Sequence, residues 1–527
     1  MSSTLLQSAP IAMMRDSLGP FRTFTLLTVG LLLSLCVIKT VKHRRRYHRL
    51  PTPPHSMLLG NLGVVLAEIL ASPEGFFHLF CVENIRRKYN MPSVFYLDLW
   101  PILPSIMVVA EPAVAKHMTQ VQPLQRERFS PNLFSPLLTA EFILAMEQKN
   151  WKKENPALNA ALTSTRVNEA TSLLAPSLHS LRSRLHSISQ SGKQYPIKDL
   201  LISYIIEVGG VIQLGGSFDL LAETSALDPI IKRSLDMMGW NPVKRYIYSK
   251  EIKQRTDCLN KVLVETIQNT AQTGESGKMS QSPIYLAHVE HLASGRMDNA
   301  ESIAYLVNTM KVIILASVVT AGAASYCYLF LHKHPDCLRE MREEHDRVFS
   351  PDRTQTWELL QKEPHRINSL HFTLAVVKET LRLIGVGGVF KKLKNEEFLE
   401  TEGNVYPVVC NVAFICHLAM GRRADLFPDP DAFRPHRFLP GANPSIPADS
   451  FRPFEKGHLS CPGQNLALKS LVLLLLTTSR EFDLVPVFPK GAPQAAEYLG
   501  GKGYPEFHIG PHVNKGMPVM VHTRVDA

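Results

Sequence analysis

A single cysteine near the C-terminus stands in a sequence that suits a metal ligand. The segment reads Phe454-Glu-Lys-Gly457-His-Leu-Ser-Cys461-Pro-Gly463 and precedes a leucine- and alanine-rich run that predicts a buried helix. The two glycines let the backbone approach a flat cofactor closely. Free N–H groups at the start of the following helix stabilise a thiolate. These features predict a sulfur ligand, and the metal that they favour is haem iron.

Two charged residues upstream have the spacing of an ion pair on one helix face. Glu379 and Arg382 lie in an apolar-periodic stretch from about residue 371 to 383, which predicts a helix. The i, i+3 spacing puts the carboxylate and the guanidinium side by side. Taken alone, this is an ordinary surface pair.

The cysteine segment resembles the haem-binding signature of the cytochrome P450 haem-thiolate monooxygenases, F-x-x-G-x-R-x-C-x-G, at Phe454, Gly457, Cys461 and Gly463. It departs from the signature at Leu459, where the family usually has an arginine that pairs with a haem propionate. The resemblance implies haem b as the cofactor, with its iron bound by the Cys461 thiolate. A buried structural cysteine at the start of a core helix is the alternative interpretation of this segment alone.

A proline-rich segment from residue 428 to 438 resembles the family's second arginine segment. The resemblance implies that Arg437 completes a network with Glu379 and Arg382 beneath the haem, where one glutamate satisfies the donors of two buried arginines. The three motifs follow the family's order, and the resemblance covers the chain from about residue 50 to the end. It implies the cytochrome P450 fold, mainly α with a small β-sheet region, as a single large haem domain behind one N-terminal transmembrane helix.

A long apolar stretch from residue 302 to 332 contains no proline and predicts a helix of about 45 Å. It ends before Pro335 and resembles the family's distal-face helix. Counting back from that proline puts the family's A-G-x-D/E-T-T hexad on residues 315 to 320, with Val318 and Val319 in place of the acid and the alcohol. Valine can neither donate a proton nor hold a water, so the usual proton relay of oxygen activation is missing. The protons would then come from ordered water, a substrate hydroxyl, Ser317 or Thr320.

The residues that would hold the haem propionates are also unusual. Trp151 begins a segment that resembles the family's W-x-x-x-R helix, but Asn155 replaces the arginine, so with Leu459 two expected cations are absent. The candidate partial replacements are Trp151, Lys152, Lys391 and Lys392. The glycine-rich turn at residues 384 to 390 lines up with the family's substrate-facing turn, where the glycines would widen the wall beside the iron or form a mobile loop.

An uncharged apolar stretch from Phe24 to Ile38 precedes a run of basic residues that reaches Arg49. The stretch is short for a bilayer, but flanking basic side chains can snorkel, and the charge after the stretch places that side in the cytosol. A cleaved signal peptide, the competing interpretation, would carry its charge before the stretch. We therefore expect a single-pass anchor in the endoplasmic reticulum membrane, with the catalytic domain facing the cytosol.

These features divide the chain into four predicted parts. Residues 1–20 form a short tail, 21–41 the transmembrane anchor, 42–57 a basic and proline-rich hinge, and 58–527 the haem-thiolate catalytic domain. The prolines that follow Leu50 cannot continue a helix. The position of the basic run beside the anchor favours anionic membrane lipid over nucleic acid as its partner.

Composition fits a cytosol-facing protein with a large core. The chain has 527 residues, of which 45% are hydrophobic. Its eight cysteines are scattered without paired spacing, which predicts reduced thiols rather than a disulfide framework. Short β-like segments are predicted at residues 93–97, 106–109, 405–412 and 507–521.

The resemblance implies a monooxygenase that inserts one oxygen atom from O₂ into an apolar small molecule, as in filamentous-fungal secondary metabolism. Electrons would come from an NADPH-cytochrome P450 reductase, with cytochrome b5 as an additional candidate donor, docked near Lys456, His458 and Lys469. Two alternatives stay open, a haem-thiolate isomerase, dehydratase or peroxide-using enzyme and a non-catalytic scaffold. The monooxygenase is favoured because the thiolate and the glutamate–arginine network are intact.

Overall fold

The computed structural model describes the chain in a series of ranges, namely residues 9–127, 162–214, 220–221, 231, 246–273, 283–295, 298–385, 387–393, 398–401, 403–442, 444–457, 459–507 and 510–524. Some residues singled out above lie outside these ranges, namely Trp151, Lys152, Asn155 and His458.

Helices make up most of the described chain. Their bounds in chain order are α1 (Ala9–Arg45), α2 (Leu62–Ala71), α3 (Cys81–Lys88), α4 (Pro112–Lys116), α5 (Ser164–Thr171), α6 (Ala175–Ser191), α7 (Lys198–Leu214), α8 (Ser249–Thr273), α9 (Pro283–Ala293), α10 (Asn299–Lys333), α11 (Pro335–Phe349), α12 (Gln355–Lys362), α13 (His371–Ile384), α14 (His417–Gly421) and α15 (Gln464–Ser479). Short helical turns lie between them at His78–Phe80, His117–Val121, Ser172–Leu174, Pro364–Ser369, Pro435–Phe438, Glu497–Leu499, Gly501–Gly503 and Asn514–Gly516.

Short strands complete the secondary structure. Their bounds are β1 (Val94–Leu97), β2 (Ile106–Val109), β3 (Tyr195–Pro196), β4 (Gly388–Lys392), β5 (Phe398–Thr401), β6 (Asn404–Pro407), β7 (Val412–Cys416), β8 (Phe482–Pro486), β9 (Pro505–Phe507), β10 (Pro511–Val513) and β11 (Pro518–Thr523). Each of the predicted β-like segments overlaps observed strand, although the segment at 405–412 holds most of β6 and only the first residue of β7.

The strands pair into small sheets. The largest has the order β1-β2-β7-β4, in which β2 and β7 are parallel and the other neighbours antiparallel. A second sheet has the order β3-β11-β8, and β5–β6 and β9–β10 form two-stranded pairs. The mainly helical chain with small sheets confirms the predicted structural class.

The central helix α10 is slightly longer at both ends than the sequence predicted. At its start, the Asp298 carboxylate accepts the backbone N–H of Glu301 at 2.8 Å, and the Glu301 carboxylate accepts that of Asp298 at 3.0 Å. This reciprocal cap fixes the first turn. At the other end, Pro335 opens α11, because a proline is tolerated in a first helical turn but not inside a helix.

The hydrophobic core has two parts. The helical part packs α10 among α7, α13 and α15, and the second part packs the β1-β2-β7-β4 sheet against α3 and α14. The loop that carries Cys461 leads directly into α15, so the cysteine enters the helical core from one end. All eight cysteines are free thiols, as their spacing predicted.

Two described helices are long and apolar enough to cross a membrane, namely α1 from Phe24 onward and α10. Most of the apolar window of α10 is buried within the fold, so its apolar character belongs to the core. The corresponding window of α1 is not buried at all. Exposed apolar side chains line α1 from Phe24 to Ile38, as the predicted anchor requires.

Candidate active site

The loop from Phe454 to Gly463 holds a cysteine at the start of α15. The backbone N–H of Cys461 donates to the Phe454 carbonyl at 2.8 Å, which folds the loop back on itself. Gly457 has a positive φ of 84° and packs so closely against the Thr119 carbonyl that an added Cβ would clash with it. Gly463 is the N-cap residue of α15, so Cys461 lies beside a helix N-terminus as the sequence predicted.

The side chain of Cys461 is accessible although it lies deep in the protein. It is exposed by surface area, yet burial raises the pKa of its thiol. The backbone N–H of Gly463 and the guanidinium of Arg126 act in the opposite direction and favour the thiolate. The Cys461 side chain is thus accessible while many protein atoms surround it.

Among the described residues, no group of three or more histidine, cysteine, aspartate or glutamate side chains is placed to hold a metal ion. A cysteine thiolate is one of the protein ligands that hold haem iron.

The glutamate–arginine network is assembled in the core. The Arg382 guanidinium donates from Nε and Nη2 to the two carboxylate oxygens of Glu379 at 2.7 and 2.8 Å, and both side chains are fully buried. Arg437, in the turn Pro435–Phe438, donates from Nε to Glu379 at 3.1 Å. The backbone N–H of Arg434 adds a donor at 2.8 Å, which sequence patterns could not predict. The structure thus brings the three predicted residues together.

One face of α10 is open in the middle of the helix. Ala316 is exposed, and Val312, Val319 and Thr320 are half-buried, whereas the residues on the other faces of these turns are buried. Their separations place these four side chains on one side of the helix. We call them the open strip, and apart from one hydroxyl they are apolar.

The open strip and the cysteine loop belong to helices that pack together. The Tyr328 hydroxyl of α10 and the Thr478 hydroxyl of α15 form a hydrogen bond of 2.6 Å. The helix that begins beside Cys461 therefore packs against the helix that carries the open strip.

The two hydroxyl residues proposed from the sequence point in different directions. Ser317 is 2% exposed and packs towards α7, since an added Cβ at Gly209 would lie 4.0 Å from its Oγ. The Ser317 hydroxyl donates to the Ile313 carbonyl at 2.7 Å. Thr320 lies on the open strip, and its hydroxyl donates to the Ala316 carbonyl at 3.0 Å.

The two valines that replace the expected acid and alcohol are also separated. Val318 is 1% exposed and belongs to the helical core. Val319 lies on the open strip beside Gly510, where an added Cβ would be 3.4 Å from both of its methyl carbons. Only Val319 therefore has a side chain next to open space.

Two buried cations lie near the cysteine loop. Lys391 is 2% exposed, whereas its neighbour Lys392 points outward, because side chains alternate along β4. The Lys391 ammonium makes one long contact, 3.4 Å to the Leu124 carbonyl, and no carboxylate of the described residues lies within ion-pairing distance. Burial, reinforced by the nearby Arg126 charge, lowers the pKa of Lys391 to about 8.

Arg126 is the second of these cations and was missed by the sequence. It forms an isolated β-bridge with Lys391, and its Nη2 donates to the carbonyl of Leu459 at 2.8 Å. Leu459 is the position at which the haem-binding signature has its arginine, so a guanidinium from a distant part of the chain reaches the same loop. Burial lowers the pKa of Arg126, and the charge of Cys461 opposes that shift.

The glycines at the turn after α13 are explained by packing. An added Cβ at Gly385 would press on the Leu418 backbone, and one at Gly388 would clash with the Ile415 carbonyl. These glycines let β4 and α14 approach the end of α13 closely. Gly387 has a positive φ of 88° and is less crowded.

Comparisons with known proteins agree with this arrangement. The family model described as Cytochrome P450 matches residues 64–496. The chain belongs to the cytochrome P450 family. It is 96% identical to the cytochrome P450 monooxygenase ptmJ of Penicillium ochrochloron and 88% identical to the cytochrome P450 monooxygenase PC-20 of Penicillium crustosum. Both matches cover 98% of this chain and 100% of the relative.

The fold is that of the solved P450 structures. A crystal structure of the cytochrome P450 CYP102L1 aligns with a TM-score of 0.72 at 18% identity, over 90% of this chain and 99% of that one. The predicted family, fold and enzyme class are therefore confirmed, and this P450 is an oxidoreductase of the monooxygenase class. Its relatives in Penicillium agree with the predicted likeness to filamentous-fungal enzymes.

The described residues fit a haem. The accessible sulfur of Cys461, an open apolar strip on the helix that packs against α15, and the buried cations Lys391 and Arg126 match the iron, the flat ring and the acidic propionates of that group. Burial lowers the pKa of Lys391, so an acidic group beside its ammonium would stabilise the charged form.

Proposed function

We propose that this P450 is a membrane-anchored haem monooxygenase. It inserts one atom of O₂ into an apolar small molecule, an intermediate of secondary metabolism, and the other atom leaves as water after two electrons and two protons are supplied. The observation that carries this proposal is the accessible Cys461 thiol, held by a glycine-shaped loop that leads into α15, which packs against the helix of the open strip. Val312, Ala316 and Val319 on that strip favour an apolar substrate.

The haem, when bound, supplies the binding and activation of oxygen. Cys461 holds the iron as a thiolate, and the backbone N–H of Gly463 stabilises its negative charge. Phe454 and Gly457 shape the loop around that sulfur. Lys391 and Arg126 would hold the propionates, whose negative charge would favour the charged form of both buried cations.

Proton delivery is proposed to run through Thr320 rather than Ser317. Thr320 lies on the open strip, and its hydroxyl can accept a proton from a water while it donates one, since a hydroxyl has one donor and two lone pairs. Ser317 is buried against α7 and has no open space beside it. In this arrangement the hydroxyl that delivers protons belongs to Thr320. Counting back from Pro335 had placed the family's alcohol one residue earlier, at Val319.

Exchange of single hydroxyls tests this assignment. In reconstituted enzyme with reductase and NADPH, Thr320→Ala is expected to raise the fraction of consumed NADPH that ends as hydrogen peroxide several-fold, because the second proton arrives late. Thr320→Ser is expected to restore most of the coupling, and Ser317→Ala, the matched control, to leave it unchanged. Uncoupling by Ser317→Ala with normal coupling in Thr320→Ala would refute the assignment.

The domain organisation is proposed as the sequence suggested. Residues 21–41 span the endoplasmic reticulum membrane once, residues 42–57 link the anchor to the catalytic domain, and residues 58–527 face the cytosol. Support comes from the unburied apolar window of α1 and the basic residues that follow it. The basic run contacts anionic lipid.

The electron donor is proposed to be NADPH-cytochrome P450 reductase, with cytochrome b5 as an additional candidate. It would dock on the side of the Cys461 loop, where Lys456 and Lys469 supply positive charge. Lys456 is half-exposed and pairs with Asp449 at 3.1 Å, and Lys469 contacts Asn368. Both lysines keep enough freedom to meet an acidic partner.

A further inference from the structure

We propose that Glu455 and Arg452 form a charge-setting pair, in which the buried carboxylate keeps the propionate-binding cations Lys391 and Arg126 ionised and the guanidinium opposes that effect. The proposal rests on the proposed role of those two cations as the groups that hold the haem propionates. Glu455 and Arg452 are positioning residues, because they would act on the haem only through the cations.

The Glu455 carboxylate is fixed inside the cysteine loop. Its side chain is 5% exposed. It accepts from Arg452 Nε at 2.6 Å, from the backbone N–H of Lys456 at 3.1 Å and from His417 Nε2 at 3.3 Å. Burial opposes the ionisation of Glu455, but His417 and Arg452 outweigh it and lower the pKa of Glu455 to about 2. The carboxylate is therefore charged at neutral and alkaline pH.

The pair and the two cations are joined by one short segment, residues 119–126. At its start, the Thr119 hydroxyl accepts from Arg452 Nη2 at 2.6 Å, and the Thr119 carbonyl packs against Gly457. At its end, Arg126 Nη2 donates to the Leu459 carbonyl at 2.8 Å. The segment thus contacts the cysteine loop on both sides of Lys456 and brings a cation to the loop that holds the carboxylate.

The charges around Lys391 have opposite signs. Its ammonium contacts the Leu124 carbonyl at 3.4 Å, and Arg126 lies beside it across the isolated β-bridge. Burial lowers the pKa of Lys391 to about 8, and the positive charges of Arg126 and, more weakly, Arg452 act in the same direction. The negative charge of Glu455 raises that pKa, with more effect than Arg452 has. Glu455 also favours the charged form of Arg126, whose pKa burial lowers.

This arrangement would set the pH range over which the haem is retained. An ammonium attracts a propionate only while it is protonated, and the burial of Lys391 brings the loss of its proton close to neutral pH. Glu455 moves that loss to higher pH, and Arg452 moves it back in part. The haem-binding signature leaves the position of Glu455 unspecified, so the motif gives no indication of this role.

The sign of the effect separates this role from a purely structural one. If the pair only braced the cysteine loop, loss of either member would loosen the loop and weaken haem binding in the same direction. If the pair sets the charge of Lys391, removing the negative member lowers the pKa of Lys391 and removing the positive member raises it. Substitutions at Glu455 and Arg452 should then shift the pH dependence of haem retention in opposite directions.

Haem release from the purified full-length holoenzyme tests the proposal. Transfer of haem to excess apomyoglobin is followed in the Soret region from about pH 6 to about pH 10, the range in which a buried lysine titrates. The variants are Glu455→Gln and Arg452→Gln, which each remove one charge and keep a hydrogen-bonding side chain. The matched control is Asp449→Asn, because Asp449 also pairs with Arg452, at 3.5 Å, but its charge is compensated by Lys456 at 3.1 Å.

We expect release from the wild type to accelerate above pH 8, where Lys391 loses its charge. In Glu455→Gln the acceleration should begin about one pH unit lower, so release at pH 8 is several-fold faster than in the wild type and at about pH 6 is unchanged. In Arg452→Gln it should begin at higher pH than in the wild type, and Asp449→Asn should match the wild type. If Glu455→Gln does not fold, Glu455→Gln combined with Arg452→Met replaces it, since both charges then leave the core together. Its onset should still be lower than that of the wild type, because Glu455 has the larger effect.

An onset that shifts in the same direction in both single variants, or in neither, would overturn the inference. Lys391→Met distinguishes this from a failure of the proposed propionate role. A wild-type pH dependence in Lys391→Met would refute that role and the inference together. A flat profile in Lys391→Met with unshifted onsets in the pair variants would overturn the inference alone. A wild type that binds no haem would refute the proposed function itself.

Discussion

Replacing Glu379 by glutamine is expected to destabilise this P450 strongly while leaving its shape almost unchanged. Glutamine keeps the length of the side chain but offers one acceptor oxygen and one N–H₂ group. In the wild type, two N–H donors of Arg382 bond to the two carboxylate oxygens of Glu379 at 2.7 and 2.8 Å. In the glutamine variant, one of these Arg382 donors would face the N–H₂ group instead of an acceptor oxygen. The Glu379 Oε1 atom also accepts a hydrogen bond from Arg437 Nε at 3.1 Å and one from the Arg434 backbone N–H at 2.8 Å.

The magnitude follows from the burial of the pair. Arg382 and Glu379 are both 0% exposed, so solvent cannot replace the missing carboxylate. Removing one partner of a buried ion pair costs about 3–5 kcal/mol, because the other charge stays buried and uncompensated. The Arg382 Nη1 still donates to the Gly421 and Pro430 carbonyls at 2.6 Å each, which keeps the loss within that range. Such a loss is a large share of the roughly 5–15 kcal/mol that holds a typical domain folded.

Urea unfolding of the purified holoenzyme, followed by far-ultraviolet circular dichroism, measures the loss. The matched control is Glu358→Gln, which removes a carboxylate from an exposed pair with Lys362 on α12 and is expected to leave the midpoint unchanged. The Glu379→Gln protein should also retain less haem after purification, because the network braces α13 against the turn Pro435–Phe438. A destabilisation below about 1 kcal/mol, the size of one ordinary hydrogen bond, would refute the reasoning.

Three further outcomes are expected. Cys461→Ser should abolish the red-shifted Soret band that the reduced, carbon monoxide-treated wild type gives, and a wild type without that band would contradict thiolate ligation. Val319→Thr should fold and lower peroxide release. Val318→Asp should fail to fold, because it buries an unpaired carboxylate in the core, and circular dichroism would show the loss of helix in that variant. Folding lowers the pKa of Lys391 from 10.5 to about 8. Between pH 8 and 10.5 the folded apoprotein therefore binds fewer protons than the unfolded chain, so its stability rises with pH. Propionates would restore the charge, so haem affinity in spectroscopic titrations should fall above pH 8, and Lys391→Met should flatten that dependence.

The local patterns of the sequence predicted the local structure well. The cysteine loop, the helix that carries Glu379 and Arg382, and the limits of α10 follow from glycines, capping residues and apolar periodicity, which act within a few residues of one another. The contacts between distant segments could not be predicted in this way. Arg126 reaches the carbonyl of Leu459, 333 residues away, and nothing near Arg126 in the sequence marks it as part of the site.

The junction with the anchor shows a second limit of sequence patterns. A basic run after an apolar stretch predicts contact with lipid headgroups, and its members look alike in the sequence. The structure separates them, because Arg44 is 0% exposed and paired with Asp98, while Arg45 and Arg46 are exposed. Only the fold supplies the buried carboxylate that distinguishes one arginine from the next.

The departures of this chain from the family's motifs have a common physical explanation. A haem site needs positive charge near the cysteine loop and a hydroxyl beside the open face of the distal helix, but neither need is tied to one position in the sequence. Arg126 brings a guanidinium to the backbone of Leu459, where the signature arginine is missing. Thr320 brings a hydroxyl to the open strip, one residue beyond the position that Val319 occupies. Consecutive side chains point about 100° apart around a helix. Since the open strip includes both Val319 and Thr320, a hydroxyl at either position would border the same open space. The missing motif residues therefore do not imply a missing function.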